Sequence, residues 1–218
     1  IHCGLVGSEM CIRDSYNEMR DALDQRLVEW ILKAGFIPVP IPNSLVNMEN
    51  SYSDQLLVFE WLTKMKIDAL LLSGGNDIGK SPKRDLLEKS ILCWAEKIEK
   101  PALGLCRGMQ MMGVYFGSEL TEVKGHVGTK HHLQMNDNIK KMFPNIVNSY
   151  HNKVLKDCSS EFEILAKSID GNIEAMSHKK LPWEAWMWHP ERDSEFNKYC
   201  INRVKQLFNR NLKLNYKE

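Results

Sequence analysis

The chain has 218 residues, 43% hydrophobic and 26% charged, which excludes an intrinsically disordered or fibrous protein and suffices for one sizeable core. Its 29 lysines and arginines against 28 aspartates and glutamates leave a net charge of +1, so no whole-chain basic field draws it to nucleic acid or an anionic membrane. No apolar run reaches the roughly 18–20 residues that cross a bilayer, and the start does not read as a signal peptide. The expectation is a soluble, cytoplasmic protein acting on a small molecule, with no nucleic-acid or membrane partner. Six cysteines (Cys3, Cys11, Cys93, Cys106, Cys158 and Cys200) form no C-x-x-C pair, as expected of a reduced compartment in which one of them can be reactive.

In chain order, Leu5 to Ser15 (LVGSEMCIRDS) comes first and resembles, in one reading frame, a translated sequencing adapter. Residues 1–15 are therefore expected to be foreign and residues 16–218 to form a single domain. From Asn17, the apolar positions Leu23, Leu27, Trp30, Ile31 and Ala34 recur at helical spacing until Gly35. Phe36 to Ile41 reads as a short strand, and Pro38 and Pro40 favour an edge or strand-end position over a central one. A helix over Leu56 to Leu62 leads to the apolar run Asp68 to Leu72, which ends in Ser73-Gly74-Gly75 and suits a buried parallel strand. Asp85 to Ile98 reads as helix, Pro101 to Leu105 as a second buried strand, and Met109 to Phe116 as helix. After Gly117 the rhythm changes. Phe162 to Ile169, Asn172 to Ser177 and Glu184 to Trp188 are strand-like, and Ser194 to Phe208 closes as an amphipathic helix. The alternation predicts an α/β fold in three layers, a mostly parallel sheet with helices on both faces and ligands at the carboxyl ends of the strands.

Leu103-Gly104-Leu105-Cys106-Arg107-Gly108 places a cysteine between a short strand and a helix. Such a turn projects the side chain into the crevice, and the helix N-terminus favours the thiolate. For Cys106 alone, a small buried hydrophobe at a helix start is an equal alternative. A cysteine nucleophile needs a base held in orientation. His189, just past the strand ending at Trp188, supplies the ring, and Glu191 lies two residues on. The glycines of Leu72-Ser73-Gly74-Gly75-Asn76-Asp77 free backbone N–H groups for developing negative charge.

Four segments in order (SGGND at Ser73, GLCRGMQ at Cys106, NSYHN at Asn148 and MWHPER at Met187) resemble the class I glutamine amidotransferase-like hydrolases, including their γ-glutamyl hydrolase branch. The resemblance covers Tyr16 to about Arg192 and implies a flavodoxin-like sheet. It implies that Cys106 attacks a γ-glutamyl carbonyl, that His189 is the acid and base, and that Glu191 orients it. It further implies an oxyanion hole from the N–H groups of Gly75 and Arg107. Gln110 and the segment Asn148, Ser149, Tyr150 and His151 would hold the glutamyl head. LLSGGNDIG, VNSYHN and HKKLP carry a narrower resemblance, to a branch of capsule biosynthesis that cleaves a nucleotide-linked γ-glutamyl amidate. That substrate calls for cations beside the cysteine, and Lys80, Lys83, Arg84 and Arg107 are placed to supply them. The alternatives are a γ-glutamyl-amine hydrolase and a glutaminase subunit feeding ammonia to a separate synthase. A synthase partner or a homo-oligomer stays open.

Such proteins begin with a strand ahead of the helix near Tyr16. Here adapter-like residues stand in its place, so the first strand is expected to be missing, or filled poorly by Gly4 to Val6. No cofactor and no metal are expected. His126, His131 and His132 have no carboxylate or cysteine at ligand spacing in the sequence. Trp183, Trp186 and Trp188 read as core and pocket wall.

Overall fold

The computed structural model describes residues 1–6, 10–13 and 15–209, and among them the architecture is an α/β sandwich. The first half contains β1 (His2–Val6), β2 (Met10–Arg13), β3 (Met19–Ala22), α1 (Gln25–Lys33), β4 (Ile37–Ile41), α2 (Ser51–Lys64), β5 (Ala69–Leu72), α3 (Pro82–Lys97), β6 (Ala102–Leu105) and α4 (Arg107–Tyr115). The second half contains β7 (Leu120–Glu122), β8 (Val127–His132), α5 (Asp137–Lys140), β9 (Ile146–Tyr150), β10 (Lys153–Leu155), β11 (Phe162–Lys167), β12 (Ile173–His178), β13 (Trp183–Trp186) and α6 (Lys198–Phe208). Seven strands form the central sheet in the order β11-β12-β13-β6-β5-β1-β4. From β4 to β13 the pairing is parallel, and β12 and β11 add antiparallel ladders.

The alternation of side chains across this sheet builds two cores. On β5, Ala69 and Leu71 face one side and Leu70 and Leu72 the other, as the period of two requires. The first core is closed by Leu27, Trp30 and Ile31 of α1 and by Val204, Leu207 and Phe208 of α6. The second is closed by Val58 and Leu62 of α2, Leu87 and Ile91 of α3, and Met109 and Met112 of α4. Both prolines of β4 fall on the sheet edge, where missing N–H groups cost no ladder bond on the open side. Among the described residues no helix is long and apolar enough to cross a membrane.

Two expectations are corrected. The first strand is not missing: β1 lies between β4 and β5 and pairs with both in parallel. Cys3 and Leu5 alternate into the first core with 0% and 1% exposure, so this short segment meets the burial demand of a central position. The helix expected from Asn17 starts at Gln25, because Met19–Ala22 pairs with Met10–Arg13; Asp24 caps it by accepting from the Arg26 N–H at 2.7 Å. Between Gly117 and Phe162 the chain adds two small antiparallel ladders, β7 with β10 and β8 with β9. Strand β8 is almost wholly exposed, so it shows none of the apolar alternation that would reveal it in sequence.

Truncating Leu5 to alanine is expected to lower the unfolding free energy by about 2–5 kcal/mol, read from denaturant titration. A change below about 0.5 kcal/mol would show that β1 carries no core packing.

Candidate active site

Strand β6 passes into α4 through Cys106, whose φ of 50° and ψ of −103° are costly for any residue but glycine. The surroundings hold it there. The Cys106 N–H donates to the Trp186 carbonyl at 2.7 Å, extending the β6–β13 ladder by one bond. Behind it, α4 lies so close to β5 that a Cβ on Gly108 would sit 2.2 Å from the Leu72 carbonyl oxygen. The elbow therefore rests on a glycine contact and a buried backbone bond, and the thiol, 6% exposed, opens on a cavity of about 600 Å³. Gly75, Asp77, Lys80, Arg107, Gln110, Tyr150 and His151 line that cavity with Cys106.

His189 follows β13 and is clamped on three sides. Its backbone is held by Asn148, whose Oδ1 accepts the His189 N–H at 2.9 Å and whose Nδ2 donates to the His189 carbonyl at 2.7 Å. Its Nδ1 lies 2.6 Å from Glu191 Oε1. Gly74 packs flat against the ring, where a Cβ would come within 2.4 Å of Cε1. The Pro190–Arg192 turn carrying Glu191 is itself secured from α1: Arg26 Nε donates to the Glu191 carbonyl at 3.0 Å, and its other arm reaches the Asp193 carbonyl. Burial pulls the His189 pKa down, but the charge of Glu191, hydrogen bonds with Cys106 and Glu191, and the charge of Cys106 together outweigh it and push the value up to about 10. With Nδ1 engaged by Glu191, Nε2 is the ring nitrogen left for Cys106.

A buried ion network ties the glycine loop to the helix that follows Cys106. Glu88 of α3 is fully buried and takes Arg84 Nε at 2.8 Å on one oxygen and Arg107 on the other. Arg107 also pairs with Asp85, and Arg84 donates to the Ser73 and Gly74 carbonyls at 2.9 and 2.8 Å. Removing one member of such a set costs about 3–5 kcal/mol, because the partners are left charged and buried.

The structure brings Cys106, His189 and Glu191 together, with Gly75, Arg107 and Gln110 on the same cavity. Gly75 holds a φ of 131°, and the Gln110 amide donates to the Lys153 carbonyl at 2.9 Å. Other residues singled out in the sequence lie elsewhere or are held by neighbours. The side chains of Asn148 and Ser149 do not line the cavity: Asn148 is spent on His189, and Ser149 Oγ donates to the His126 carbonyl at 2.6 Å. Tyr150 and His151 do line it. The guanidinium groups of Arg84 and Arg107 are committed to Glu88, Asp85 and the glycine loop; of the four expected cations, Arg107, Lys80 and Lys83 lie on cavity walls and Arg84 does not. The tryptophans Trp183, Trp186 and Trp188 are buried core, and none lines the cavity. The histidines said to lack a carboxylate do not: His126 and His131 converge with His151 on Glu174, leaving out His132.

Sequence reading missed Arg26, Glu88 and the packing role of Gly74. Arg26 stands 165 residues from the carbonyl it holds, and no local pattern announces such a contact.

Known proteins agree with this architecture. A solved Thermoplasma acidophilum protein of the GMP synthase type superposes with a TM-score of 0.73 at 20% identity, covering 100% of this chain and 98% of the other. The "Gamma-glutamyl-CDP-amidate hydrolase" of Campylobacter jejuni is 34% identical over 207 residues, 90% of this chain and 93% of its own length. The "Gamma-glutamyl-gamma-aminobutyrate hydrolase" of Escherichia coli O157:H7 is 26% identical, over 92% of this chain and 89% of its own. The family model "Glutamine amidotransferase class-I" matches residues 11–205. With a match over most of its length, the chain belongs to the class I glutamine amidotransferase family.

Proposed function

We propose that this protein hydrolyses a γ-glutamyl amide through a glutamyl thioester on Cys106, and that its substrate is γ-glutamyl-CDP-amidate, cleaved to glutamate and cytidine diphosphoramidate in capsule biosynthesis. The observation that carries the chemistry is a strained elbow cysteine on a cavity, beside a histidine whose pKa it helps to raise and whose ring is held by a carboxylate at 2.6 Å. In this mechanism the Cys106 sulfur, its proton passed to His189, bonds to the γ-carbonyl carbon. The oxyanion is received by the N–H groups of Gly75 and Arg107. The amide C–N bond then breaks as His189 returns the proton to the departing nitrogen. Water, deprotonated by His189, attacks the thioester, and its collapse frees glutamate and the thiol. Glu191 keeps the ring oriented throughout. Gln110 and Tyr150 are the side chains available to the glutamyl head.

The leaving group is supported by 34% identity to a hydrolase named for this substrate and by a second cavity that meets the first at Asn76 and Lys80. Arg20, Lys80 and Lys83 line it beside one carboxylate, Asp21, which gives a diphosphate three cations to meet. A second reading, a glutaminase subunit that serves a separate synthase, is favoured by the 31% identity over 58% of this chain to a glutamine-hydrolyzing GMP synthase subunit of Methanocaldococcus jannaschii.

Glutamate release from γ-glutamyl-CDP-amidate, γ-glutamyl-γ-aminobutyrate and glutamine separates these readings. The expected result is preference for the first by about tenfold or more in kcat/KM, equivalent to about 1.4 kcal/mol. Preference for glutamine, rising on addition of a synthase, would establish the second reading. In the same assay Cys106→Ala is expected to lose at least about 10⁴-fold of the rate while keeping its unfolding midpoint.

The pKa of His189 rises from an ordinary 6.5 to about 10, so the residue stabilises the fold fully below pH 6.5 and loses that contribution as the pH rises through about 10. Glu191→Gln removes the charge that raises it. The alkaline limb of kcat/KM should then move to lower pH and kcat fall by about 10²–10⁴-fold. An unmoved limb would separate Glu191 from the proton transfer.

A further inference from the structure

We propose that His126, His131, His151 and Glu174 bind one divalent transition-metal ion, zinc by the chemistry of the set, in a closed site beside the catalytic cavity. The inference stands independently of the catalytic reading. The four side chains come from the residue before β8, its far end, the residue after β9 and the start of β12, yet their ligand atoms lie within 4.8 Å of one another. His126 is 3%, His151 4% and Glu174 0% exposed. Among the described residues, His126 Nδ1, His131 Nε2, both ring nitrogens of His151 and both carboxylate oxygens of Glu174 have no hydrogen-bond partner. A buried carboxylate with no donor is among the costliest arrangements in a protein interior, and it is rarely kept without an ion or proton to satisfy it.

The distances suit a metal better than hydrogen bonds. Glu174 Oε1 lies 3.9 Å from His126 Nδ1 and 3.7 Å from His151 Nε2, too far to bond directly. Ligand atoms about 2.0–2.1 Å from a tetrahedral zinc stand roughly 3.4 Å apart, a few tenths of an ångström inside these values. The outer contacts also match. His126 presents Nδ1 to the cluster while its Nε2 lies 2.8 Å from Asp170 Oδ2, and Asp170 is held by Ser168 Oγ at 2.5 Å and Asn172 Nδ2 at 2.8 Å. A carboxylate behind a ligating histidine fixes the tautomer and strengthens the donor. Three neutral imidazoles and one carboxylate leave +1 on a divalent ion, and the Asp170 charge behind His126 brings the group to zero.

Four protein ligands leave no open position for water, which makes the site structural. It would fasten the β8–β9 hairpin to β12 of the main sheet. His151 also lines the catalytic cavity, so the ion would fix one wall of it.

The test uses the full chain carrying Cys106→Ala, so that the catalytic thiol cannot supply a ligand. Protein purified without chelator is expected to hold about one zinc per chain by mass-spectrometric metal analysis. Stripping with dipicolinate should lower the unfolding midpoint by about 5 °C or more, and added zinc should restore it. Cobalt in its place should give the visible absorption of a tetrahedral N/O site without a sulfur charge-transfer band. Glu174→Gln and His131→Ala should abolish the zinc and the zinc-dependent midpoint. If either variant fails to fold, the zinc titration of the stripped parent decides. Less than about 0.1 zinc per chain in that titration, with no shift in midpoint, overturns the proposal, as does zinc retained by both variants.

Discussion

The catalytic region depends on one buried carboxylate. Glu88 of α3 accepts from Arg84 and Arg107 at once, and through them it joins the helix that starts after Cys106 to the loop that carries Gly74 and Gly75. Neither guanidinium can leave without uncovering a charge in the interior, at a cost of about 3–5 kcal/mol. The two backbone segments assigned to the oxyanion hole are therefore fixed relative to each other before any substrate arrives. On this account the electrostatic preorganisation of the site is an outcome of ion pairing that no substrate touches.

A second set of constraints fixes the histidine. Asn148 grips both backbone groups of His189, Arg26 grips the turn behind it, and Gly74 leaves room for the ring and nothing more. These contacts come from β9, α1 and the loop after β5, so His189 is placed by the fold at large. Cys106 is placed by its own strand and helix, through the Trp186 bond and the Gly108 contact. The two meet where the carboxyl ends of the parallel strands open, the position that this class of sheet reserves for ligands.

Much of this was legible in the sequence where the signal is local. The continuous apolar run of β5, the glycine-flanked turn at Cys106 and the prolines of β4 each announce their place through backbone requirements. Long-range consequences were not legible. Asn148 reads as a substrate contact until its partner 41 residues away is seen, and Arg84 and Arg107 read as phosphate ligands until Glu88 is found beneath them. The cluster around Glu174 was hidden for the same reason: its carboxylate lies on a strand that folding, and not spacing, brings to the histidines. The first strand was discounted because its sequence looked foreign, yet Cys3 and Leu5 satisfy the alternation that a central strand requires.

The central claim is that a covalent glutamyl thioester forms on Cys106. Acid quenching of the protein during turnover of γ-glutamyl-CDP-amidate, followed by intact-mass and peptide-level mass spectrometry, tests it most directly. The predicted result is one glutamyl adduct per chain, labile to hydroxylamine and confined to the peptide that contains Cys106. Glu191→Gln, by weakening the base that activates water, should change the amount of adduct without moving its site. Turnover with no adduct at any quench time, or an adduct on another cysteine, would contradict the claim.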